Sequence, residues 1–400
     1  MPKPDLLFLV HRFPFPPDKG DRIRTYHLLR FLSTRARVHL ACLSDEPVSA
    51  EHREELASLC AQLEVVPLGT TRWLHAARSW LVGRSISEGA FQSRSLRTFL
   101  RTWVGQTSFA ACLVSMSSMV PYLDDVGPLP VVVDLVDVDS EKWREYARQG
   151  TGPRRWFYAT EARRLRQLEQ GLPARVRAVT LVSEAEAELY RQFAVPGNIQ
   201  AVPNGVDLDC FQPAALRSRG GQNVIVEETR CLFVGALDYR PNVDGIAWFC
   251  REVWPGVQAR QKDARLAIVG RRPVAAVREL EQLPGVEVMA DVPDVRPELA
   301  RAAVVVAPLW IARGIQNKVL EALAAGKAVV ASPPALAGLQ ARPGEHLLSA
   351  DKPAEWIDKV TGLFASLAER ERLGQAGRAF VEANHRWESC LQKFAELLDL

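Results

Sequence analysis

Short apolar runs rich in β-branched residues alternate with longer helical patterns along the chain, and this alternation restarts once. The first series predicts strands at residues 5–10, 37–43, 111–115, 131–136 and 178–182. The second series predicts strands at residues 230–235, 265–270, 285–290, 303–307 and 328–331. Strands separated by helices of about 10–15 residues are typical of parallel βαβ units. The sequence therefore predicts an α/β protein with two parallel sheets.

The joint between the two series lies near residues 196–230, where the turn signals PGN and PNG precede the polar stretch RSRGGQN. The 400 residues suffice for two domains of about 100–200 residues each. We predict a first domain over 1–197 and a second over 198–379. The segment 365–400 is predicted to be helical, with its end, about 380–400, packing on the first domain.

Composition excludes several classes of protein. The seven cysteines are odd in number and form no CxxC pair, which argues against a disulfide framework or a zinc site. The net charge of +3 argues against a nucleic-acid-binding body. The apolar stretch at the N-terminus is too short for a signal peptide, and no run of about 18 apolar residues exists. We therefore expect a cytoplasmic protein.

The stretch 303–332 carries the strongest chemical signal. Ligands of open α/β sheets bind outside the carboxyl ends of strands, and the strand 303–307 is followed by a loop with Arg313 and Gly314. A helix begins after the glycine, and its free N–H groups suit a phosphate. Lys318 lies in the first turn, where a cation is unfavourable unless an anion is bound. This conflict with the capping rules predicts a bound diphosphate.

Glu321 lies in an otherwise apolar part of the same helix. A carboxylate there can accept hydrogen bonds from two ribose hydroxyl groups. The alternative is a solvated glutamate on a helix face, and spacing alone does not decide between the two.

The second half of this stretch resembles the signature E-A-x-A-x-G-x-P-V-V of the retaining glycosyltransferases of family 4, which have the GT-B fold. The matching positions are Glu321, Ala322, Ala324, Gly326, Val329 and Val330. The resemblance implies two Rossmann-like domains facing a cleft, with Glu321 on the ribose of the nucleotide. In the family, a glutamate eight positions earlier contacts the donor sugar. Arg313 stands there in this chain, so we expect it to contact the diphosphate or an acidic donor sugar instead.

Three further loops resemble donor-binding loops of the family. In 233–242, Gly235 fits the glycine after a strand and Arg240 the arginine that contacts the diphosphate. In 268–272, Gly270 is expected to allow close approach of a ligand, with either Arg271 or Arg272 facing it. The remaining loop, 10–24, resembles the proline-glycine loop after the first strand, which implies that Gly20 lies at the donor diphosphate or the acceptor.

The segment 133–143 carries three aspartates around a strand end, Asp134, Asp137 and Asp139. In the family, an acidic or histidine residue near this place faces the reacting sugar, which makes Asp137 the first candidate and Asp134 the second. Two alternatives stay open, a metal site and a strand-end turn in which aspartates cap the backbone.

The motifs RFPFPPDKGDRIR, VDLVDVDSEKW, LDYRPN and ARGIQNKVLEALA resemble a narrower group, the sugar transferases of bacterial exopolysaccharide and PEP-CTERM/exosortase systems. The resemblance implies metal-independent, retaining transfer from a nucleoside-diphosphate sugar to a hydroxyl of a glycan or lipid-linked acceptor, without a cofactor. Arg240 and Lys318 are the cations expected to stabilise the leaving diphosphate. A nucleotide-sugar epimerase or hydrolase of the same fold, or a non-catalytic nucleotide-sugar binding protein, remains the alternative.

Two stretches, 72–103 and 142–177, combine many arginines with interleaved tryptophans. Such surfaces bind anionic membranes, which predicts a peripheral position on the inner face of the cytoplasmic membrane. The alternative is a solvated surface on which arginine stems pack against aromatic rings.

Overall fold

The computed structural model describes residues 2–213, 218–219, 222–223 and 225–400. The chain forms two compact units, one of Met1–Pro203 with Leu391–Leu400 and one of Asn204–Cys390. The sequence placed the boundary between residues 197 and 198. Each unit contains one parallel sheet with helices, so the predicted pair of Rossmann-like α/β domains is confirmed.

The first unit is built on a seven-stranded sheet of order β3-β2-β1-β4-β5-β6-β7 in which all neighbours are parallel. The strands are β1 Asp5–Val10, β2 Arg37–Ser44, β3 Gln62–Pro67, β4 Ala111–Ser115, β5 Val131–Val136, β6 Ala178–Leu181 and β7 Ile199–Ala201. The sequence did not predict β3 or β7, because β3 is mostly half-buried and β7 has three residues.

Helices connect these strands. The α-helices of the unit before its C-terminal segment are Gly20–Ser33, Ala50–Ala57, Arg72–Leu81, Ile86–Ala90, Arg94–Gln106, Asp139–Gln149, Gly152–Gln170 and Glu184–Arg191. Two segments, Ser117–Asp125 and Leu172–Ala174, are 3₁₀-helical. Leucine and valine side chains from β1, β2, β4, β5 and β6 form a core with apolar residues of the helices on one face of the sheet.

The second unit is built on a six-stranded parallel sheet of order β12-β11-β10-β13-β14-β15, and β8 and β9 form a separate antiparallel pair. The strands are β8 Ser218–Arg219, β9 Gln222–Asn223, β10 Glu227–Val234, β11 Arg265–Gly270, β12 Val286–Ala290, β13 Ala302–Ala307, β14 Ala328–Ala331 and β15 Leu348–Ser349. The chain runs from β10 outward to β12 and then returns to the other side of β10 with β13. The strand order therefore reverses between β10 and β13.

The α-helices of this unit in the described residues are Arg240–Trp248, Trp254–Arg260, Ala275–Arg278, Arg296–Arg301, Asn317–Ala324, Pro333–Leu336, Pro353–Ala365 and Leu367–Asn384. A π-helical turn, Phe249–Val253, joins the first two, and Glu279–Gln282 is 3₁₀-helical. No helix in the described part of the chain has the length and apolar character needed to cross a bilayer.

The predicted helical segment 365–400 is interrupted. A helix ends at Asn384, and the last helix, Trp387–Leu398, begins after His385 and Arg386. The backbone at His385 leaves the helical ladder because its carbonyl accepts a hydrogen bond from the N–H of Val206, at 2.8 Å. The His385 ring also contacts the carbonyl oxygen of Asn204, at 2.8 Å.

A buried ion pair ties several elements of the first unit together. Arg24, in the helix after β1, donates to both carboxylate oxygens of Asp134 on β5, at 2.7 and 2.9 Å. It also donates to the carbonyl oxygen of Val202 at 3.0 Å, and Thr180 on β6 donates to Asp134 at 2.8 Å. Both charged side chains are fully buried, and the hydrogen bonds offset the cost of taking them out of water.

We expect Asp134→Asn to lower the free energy of unfolding by about 3–5 kcal/mol, because it leaves the Arg24 guanidinium buried without its counter-charge. Urea unfolding followed by circular dichroism measures this change. Asp124→Asn is the matched control, because it breaks an exposed pair with Arg175 and should cost no more than about 1 kcal/mol. Equal losses in the two variants would contradict the structural role given to the buried pair.

Candidate functional site

The reversal of strand order between β10 and β13 creates the place where open α/β sheets bind ligands. Gly235 directly follows β10, and the helix Asn317–Ala324 follows β13 after a loop. The sequence predicted this helix from near Ile315. The structure starts it two residues later and keeps Lys318 in its first turn.

The amino group of Lys318 lies against the end of β10. Its Nζ donates to Oδ1 of Asn242 at 2.6 Å and lies 4.6 Å from the centre of the Phe233 ring. Nδ2 of Asn242 in turn donates to the carbonyl oxygen of Ala236 at 2.9 Å. A Cβ atom on Gly235 would lie 2.8 Å from both Lys318 Nζ and Asn242 Nδ2, so a glycine is needed for this arrangement.

Lys318 has no carboxylate within ion-pair distance among the described residues. Burial lowers the pKa of Lys318 to about 7, although the charge of Glu321 acts in the opposite direction. Burial likewise raises the pKa of Glu321 to about 7, against the charge of Lys318. A bound anion would restore the charge of the lysine, because an opposite charge favours the ionised form.

The Glu321 carboxylate is available as an acceptor. The side chain is half-buried and accepts no hydrogen bond from any side chain or backbone group that the structure describes. It lies three residues after Lys318, so both project from the same side of the helix.

The N-terminus of this helix is open. Gln316 precedes the first helical residue without capping it through its side chain, and the first turn contains no acidic residue. Gly314 is buried with a φ of +58°, and the half-buried Arg313 uses its carbonyl oxygen to accept from Gln316 Nε2 at 2.9 Å. The N–H groups of Val319 and Leu320 already donate to the carbonyl oxygen of Gln316, at 2.9 and 3.2 Å. Those of Asn317 and Lys318 make no hydrogen bond in the described residues and remain for a ligand.

Gly270 has a packing role that the sequence did not predict. A Cβ atom there would lie 1.8 Å from the carbonyl oxygen of Gly235, so the glycine permits close packing of two strand ends. The close approach of a ligand to Gly270 stays a prediction. The neighbouring Arg271 is exposed, and its carbonyl oxygen accepts from the N–H of Leu237 at 2.9 Å. Arg240 is also exposed and pairs with Asp244 at 3.2 Å. Diphosphate contacts of the two arginines stay predictions.

A second cluster lies at the carboxyl edge of the sheet of the first unit. Three buried side-chain atoms there have no hydrogen-bond partner among the described residues, namely His11 Nδ1, Ser115 Oγ and Asp137 Oδ1. His11 directly follows β1, Ser115 is the last residue of β4, and Asp137 directly follows β5. These three strands are neighbours in the sheet, and Ser115 pairs with Val10 and Asp134 in the strand register. Since buried polar atoms are normally hydrogen-bonded, this row indicates a place for a polar ligand.

The His11 ring is oriented by Asp21, whose Oδ2 lies 3.2 Å from His11 Nε2 and 3.1 Å from an Arg12 nitrogen. Burial raises the pKa of Asp21, but the hydrogen bonds and charges of His11 and Arg12 bring it well below its usual range. With Nε2 facing this carboxylate, Nδ1 is the ring nitrogen left without a hydrogen-bond partner in the described residues. Gly20 begins the helix that carries Asp21 and is exposed.

Asp137 and Asp134 have different surroundings. Asp134 is occupied by Arg24 and Thr180, an environment that favours a structural role. Burial and the negative charge of Glu186 raise the pKa of Asp137 to about 7. The preceding Val136 has a φ of +67°, which is strained for a β-branched residue and indicates a functional constraint. The catalytic roles predicted for both aspartates stay predictions.

The sequence analysis assigned no role to His11, Ser115 or Asn242. His11 and Ser115 each stand at the end of a predicted strand, which is the available signal. No group of three or more His, Cys, Asp or Glu side chains in the described residues could hold a metal ion. Metal independence stays a prediction.

Comparisons with known proteins agree with this geometry. Residues 228–366, which lie in the second unit, match the family model described as glycosyl transferases group 1. The sucrose-phosphate synthase of Thermosynechococcus elongatus is similar over 99% of this chain and 98% of its own, with 16% identity and a TM-score of 0.72. The chain has the GT-B fold.

Two further GT-B structures resemble the chain. HepE of Anabaena, in complex with UDP and glucose, is 14% identical over 99% of both chains, with a TM-score of 0.69. The α,α-trehalose 6-phosphate synthase of Burkholderia multivorans is 12% identical over 100% of this chain and 98% of its own, with a TM-score of 0.65. None of the curated protein sequences matches the chain significantly.

We expect Gly270→Ala to lower the free energy of unfolding by about 3 kcal/mol, because its methyl group meets a backbone oxygen that cannot move aside. Gly235→Ala should cost less, since it meets the ends of two side chains. Gly362→Ala is the control, because no atom lies within 4 Å of the added carbon, and its helix should gain stability. Urea unfolding gives all three values, and a tolerated Gly270→Ala would contradict the close packing.

We expect Asp137→Asn to stabilise the protein increasingly from about pH 4 to pH 7, by roughly 1–3 kcal/mol, and by a constant amount above pH 7. The folded protein holds the Asp137 proton up to a pKa of about 7, whereas the unfolded chain releases it near 3.8. The wild type therefore loses stability over this interval and the variant does not. Chemical unfolding at a series of pH values checks this, and a pH-independent difference would contradict the raised pKa.

Proposed function

We propose that this protein is a glycosyltransferase that moves a sugar from a nucleoside-diphosphate sugar to a hydroxyl group of an acceptor. The observation that carries the proposal is the pair of Lys318 and Glu321 on the helix after β13, at the switch point of the sheet. In the described residues, one is an amine without a carboxylate at ion-pair distance, and the other is a carboxylate without a hydrogen-bond partner. Both lie in the segment that matches the group 1 family model.

The spacing of the two groups suits a nucleoside diphosphate. A separation of three residues corresponds to about 4.5 Å along the helix axis. Lys318 is the nearer to the strand ends and to the open N-terminus, where a phosphate is favoured. Glu321 lies further along the helix and is assigned to the ribose hydroxyls. The complex of HepE with UDP, in the same fold, supports a uridine nucleotide as the first to test.

In the proposed reaction, negative charge grows on the diphosphate as the sugar leaves. Lys318 and the N–H groups after Gly314 are preorganised to stabilise that charge, and partial exclusion of water strengthens their effect. Binding of the anion raises the pKa of Lys318 from about 7, so the amine is charged during transfer. Arg240, Arg271 and Arg313 are proposed to add further positive charge.

The acceptor hydroxyl is proposed to bind at the edge of the first unit. A carboxyl group with a pKa of about 7, such as Asp137, exchanges a proton with a hydroxyl readily at neutral pH. His11 Nδ1 and Ser115 Oγ supply further polar contacts. We propose retention of configuration, family 4 membership, independence of metal and an acceptor in bacterial exopolysaccharide or cell-surface glycan synthesis. The resemblance of the sequence motifs supports these points. The cytoplasmic location stays a prediction.

We expect Glu321→Gln to weaken binding of UDP by about 10- to 100-fold, because hydrogen bonds to a charged acceptor contribute about 1.5–3 kcal/mol. Titration calorimetry with EDTA present measures the affinity, with GDP and ADP tested in parallel. Glu371→Gln is the matched control, because this exposed helical glutamate makes no hydrogen bond or ion pair in the described residues.

A nucleotide without the ribose 2′-hydroxyl tests whether Glu321 contacts the ribose. If Glu321 holds the ribose, 2′-deoxyuridine diphosphate should bind the wild type more weakly than UDP and should lose less affinity on Glu321→Gln. If Glu321→Gln lowers the affinity for both nucleotides equally, Glu321 does not contact the 2′-hydroxyl of the ribose. If no nucleoside diphosphate binds the wild type, the proposed function is wrong. Transfer of sugar to an added acceptor separates a transferase from an epimerase, a hydrolase or a binding protein.

A further inference from the structure

The helix Arg72–Leu81 exposes three of its four large apolar side chains. Trp73, Leu74 and Leu81 are 61%, 71% and 84% exposed, and Val82 directly after the helix is also exposed. The buried residues are Ala76 and Ser79. Surface helices of globular proteins normally turn the apolar stripe to the core. We call these four exposed side chains the apolar helix face.

Close packing explains which side is buried. A Cβ atom on Gly89, in the next helix, would lie 2.5 Å from Ser79 Cβ and 2.7 Å from Ala76 Cα. Only small residues fit at this contact, so the inward side is fixed by the neighbouring helix. The same packing therefore keeps Trp73, Leu74 and Leu81 on the outer side of the helix.

A cavity of about 270 Å³ opens beside this helix. It is lined by His75, Arg78, Ser79, Val82, Arg84, Gln92, Ser93, Arg94 and Arg97, with no acidic residue among them. We call it the arginine pocket. Val82 belongs both to its lining and to the apolar helix face, so the two features are continuous.

Three of the four arginines have no counter-charge. Arg97 pairs with Asp125, but the side chains of Arg78, Arg84 and Arg94 form no ion pair or hydrogen bond in the described residues. Guanidinium groups that gather without acids indicate a site for an anion with several oxygen atoms.

Two other polar features border the arginine pocket. Ser79 is 5% exposed, and its buried Oγ makes no hydrogen bond in the described residues. The 13-residue helix Arg94–Gln106 begins at the pocket with no acidic residue in its first turn, and its N-cap Ser93 accepts a hydrogen bond from the N–H of Leu96 at 3.3 Å. The unpaired guanidinium groups, rather than these two features, indicate the anion site.

The apolar surface extends to a second helix. Arg164 of the helix Gly152–Gln170 stacks on Trp80 with its guanidinium carbon 4.0 Å from the ring centre. The exposed Trp156 of that helix lies edge-on to Trp80, with 6.2 Å between ring centres. Tryptophan and arginine together are typical of surfaces that lie at the boundary between lipid headgroups and acyl chains.

We propose that this face of the first unit docks on an anionic membrane, with a lipid phosphate in the arginine pocket and the apolar helix face at the acyl boundary. The positive charge of the arginine pocket is complementary to the negative headgroups of such a membrane, and this favours a membrane over a soluble phosphate as the ligand. A soluble phosphate would use the arginines and leave the exposed leucines without a partner, whereas a lipid satisfies both. The inference does not depend on the proposed sugar transfer.

The test is flotation of the full chain with vesicles of phosphatidylcholine alone and vesicles of equal parts phosphatidylcholine and phosphatidylglycerol. The wild type is expected to bind only the anionic vesicles. Replacement of Arg78, Arg84 and Arg94 by Gln together should weaken this binding about 100-fold, since each cation at the surface contributes about a factor of five. Leu74→Gln with Leu81→Gln should weaken it about tenfold, by removing apolar area.

The matched control replaces Arg251, Lys262 and Arg265, three exposed cations of the second unit, by Gln. It removes the same charge and should bind vesicles as the wild type does. Circular dichroism and UDP binding show whether each variant is folded, so loss of membrane binding is distinguished from loss of the donor site. The proposal is overturned if the wild type does not bind anionic vesicles, whether or not inorganic phosphate stabilises it, or if the control loses as much binding as the pocket variant.

Discussion

The buried guanidinium of Arg24 is the contact on which the first unit depends. It joins the helix after β1 to Asp134 on β5 and to the backbone after β7, across 110 and 178 residues of sequence. That same helix carries Asp21, which orients His11. Asp134 is thereby committed to holding the unit together, whereas burial and the charge of Glu186 raise the pKa of the nearby Asp137 to about 7.

The second unit also buries a cationic side chain, but there the cation has no carboxylate at ion-pair distance in the described residues. Lys318 is drawn into the end of β10 by a hydrogen bond to Asn242, where Gly235 leaves just enough room. The chain supplies a hydrogen bond there but no carboxylate within ion-pair distance in the described residues, and the charge of Glu321 offsets the desolvation of the amine only in part. A desolvated amine of this kind is expected at a binding site, because the ligand completes the interaction. A phosphate group is the natural complement.

The sequence predicted the strands and helices better than the contacts between them. Alternation of strands and helices located ten strands and the helix with Lys318 and Glu321, since those signals are local. The sequence did not predict features that depend on packing between distant parts of the chain. These are the half-buried β3, the three-residue β7 and the interruption of the last helical segment at His385. Strand order decides which loops meet, so the row of His11, Ser115 and Asp137 was not predictable. Nor was the role of Asp134, whose partner is 110 residues away.

The two cationic sites differ in a way that matches their proposed ligands. Lys318 is a single, half-buried amine at a fixed distance from Asn242, and a low local dielectric makes one such charge effective against one phosphate. The cations of the arginine pocket act at the surface, where water and salt screen each of them. Such groups become effective only in number and beside apolar contacts. A membrane offers both, since many weakly held headgroups lie above one continuous apolar phase.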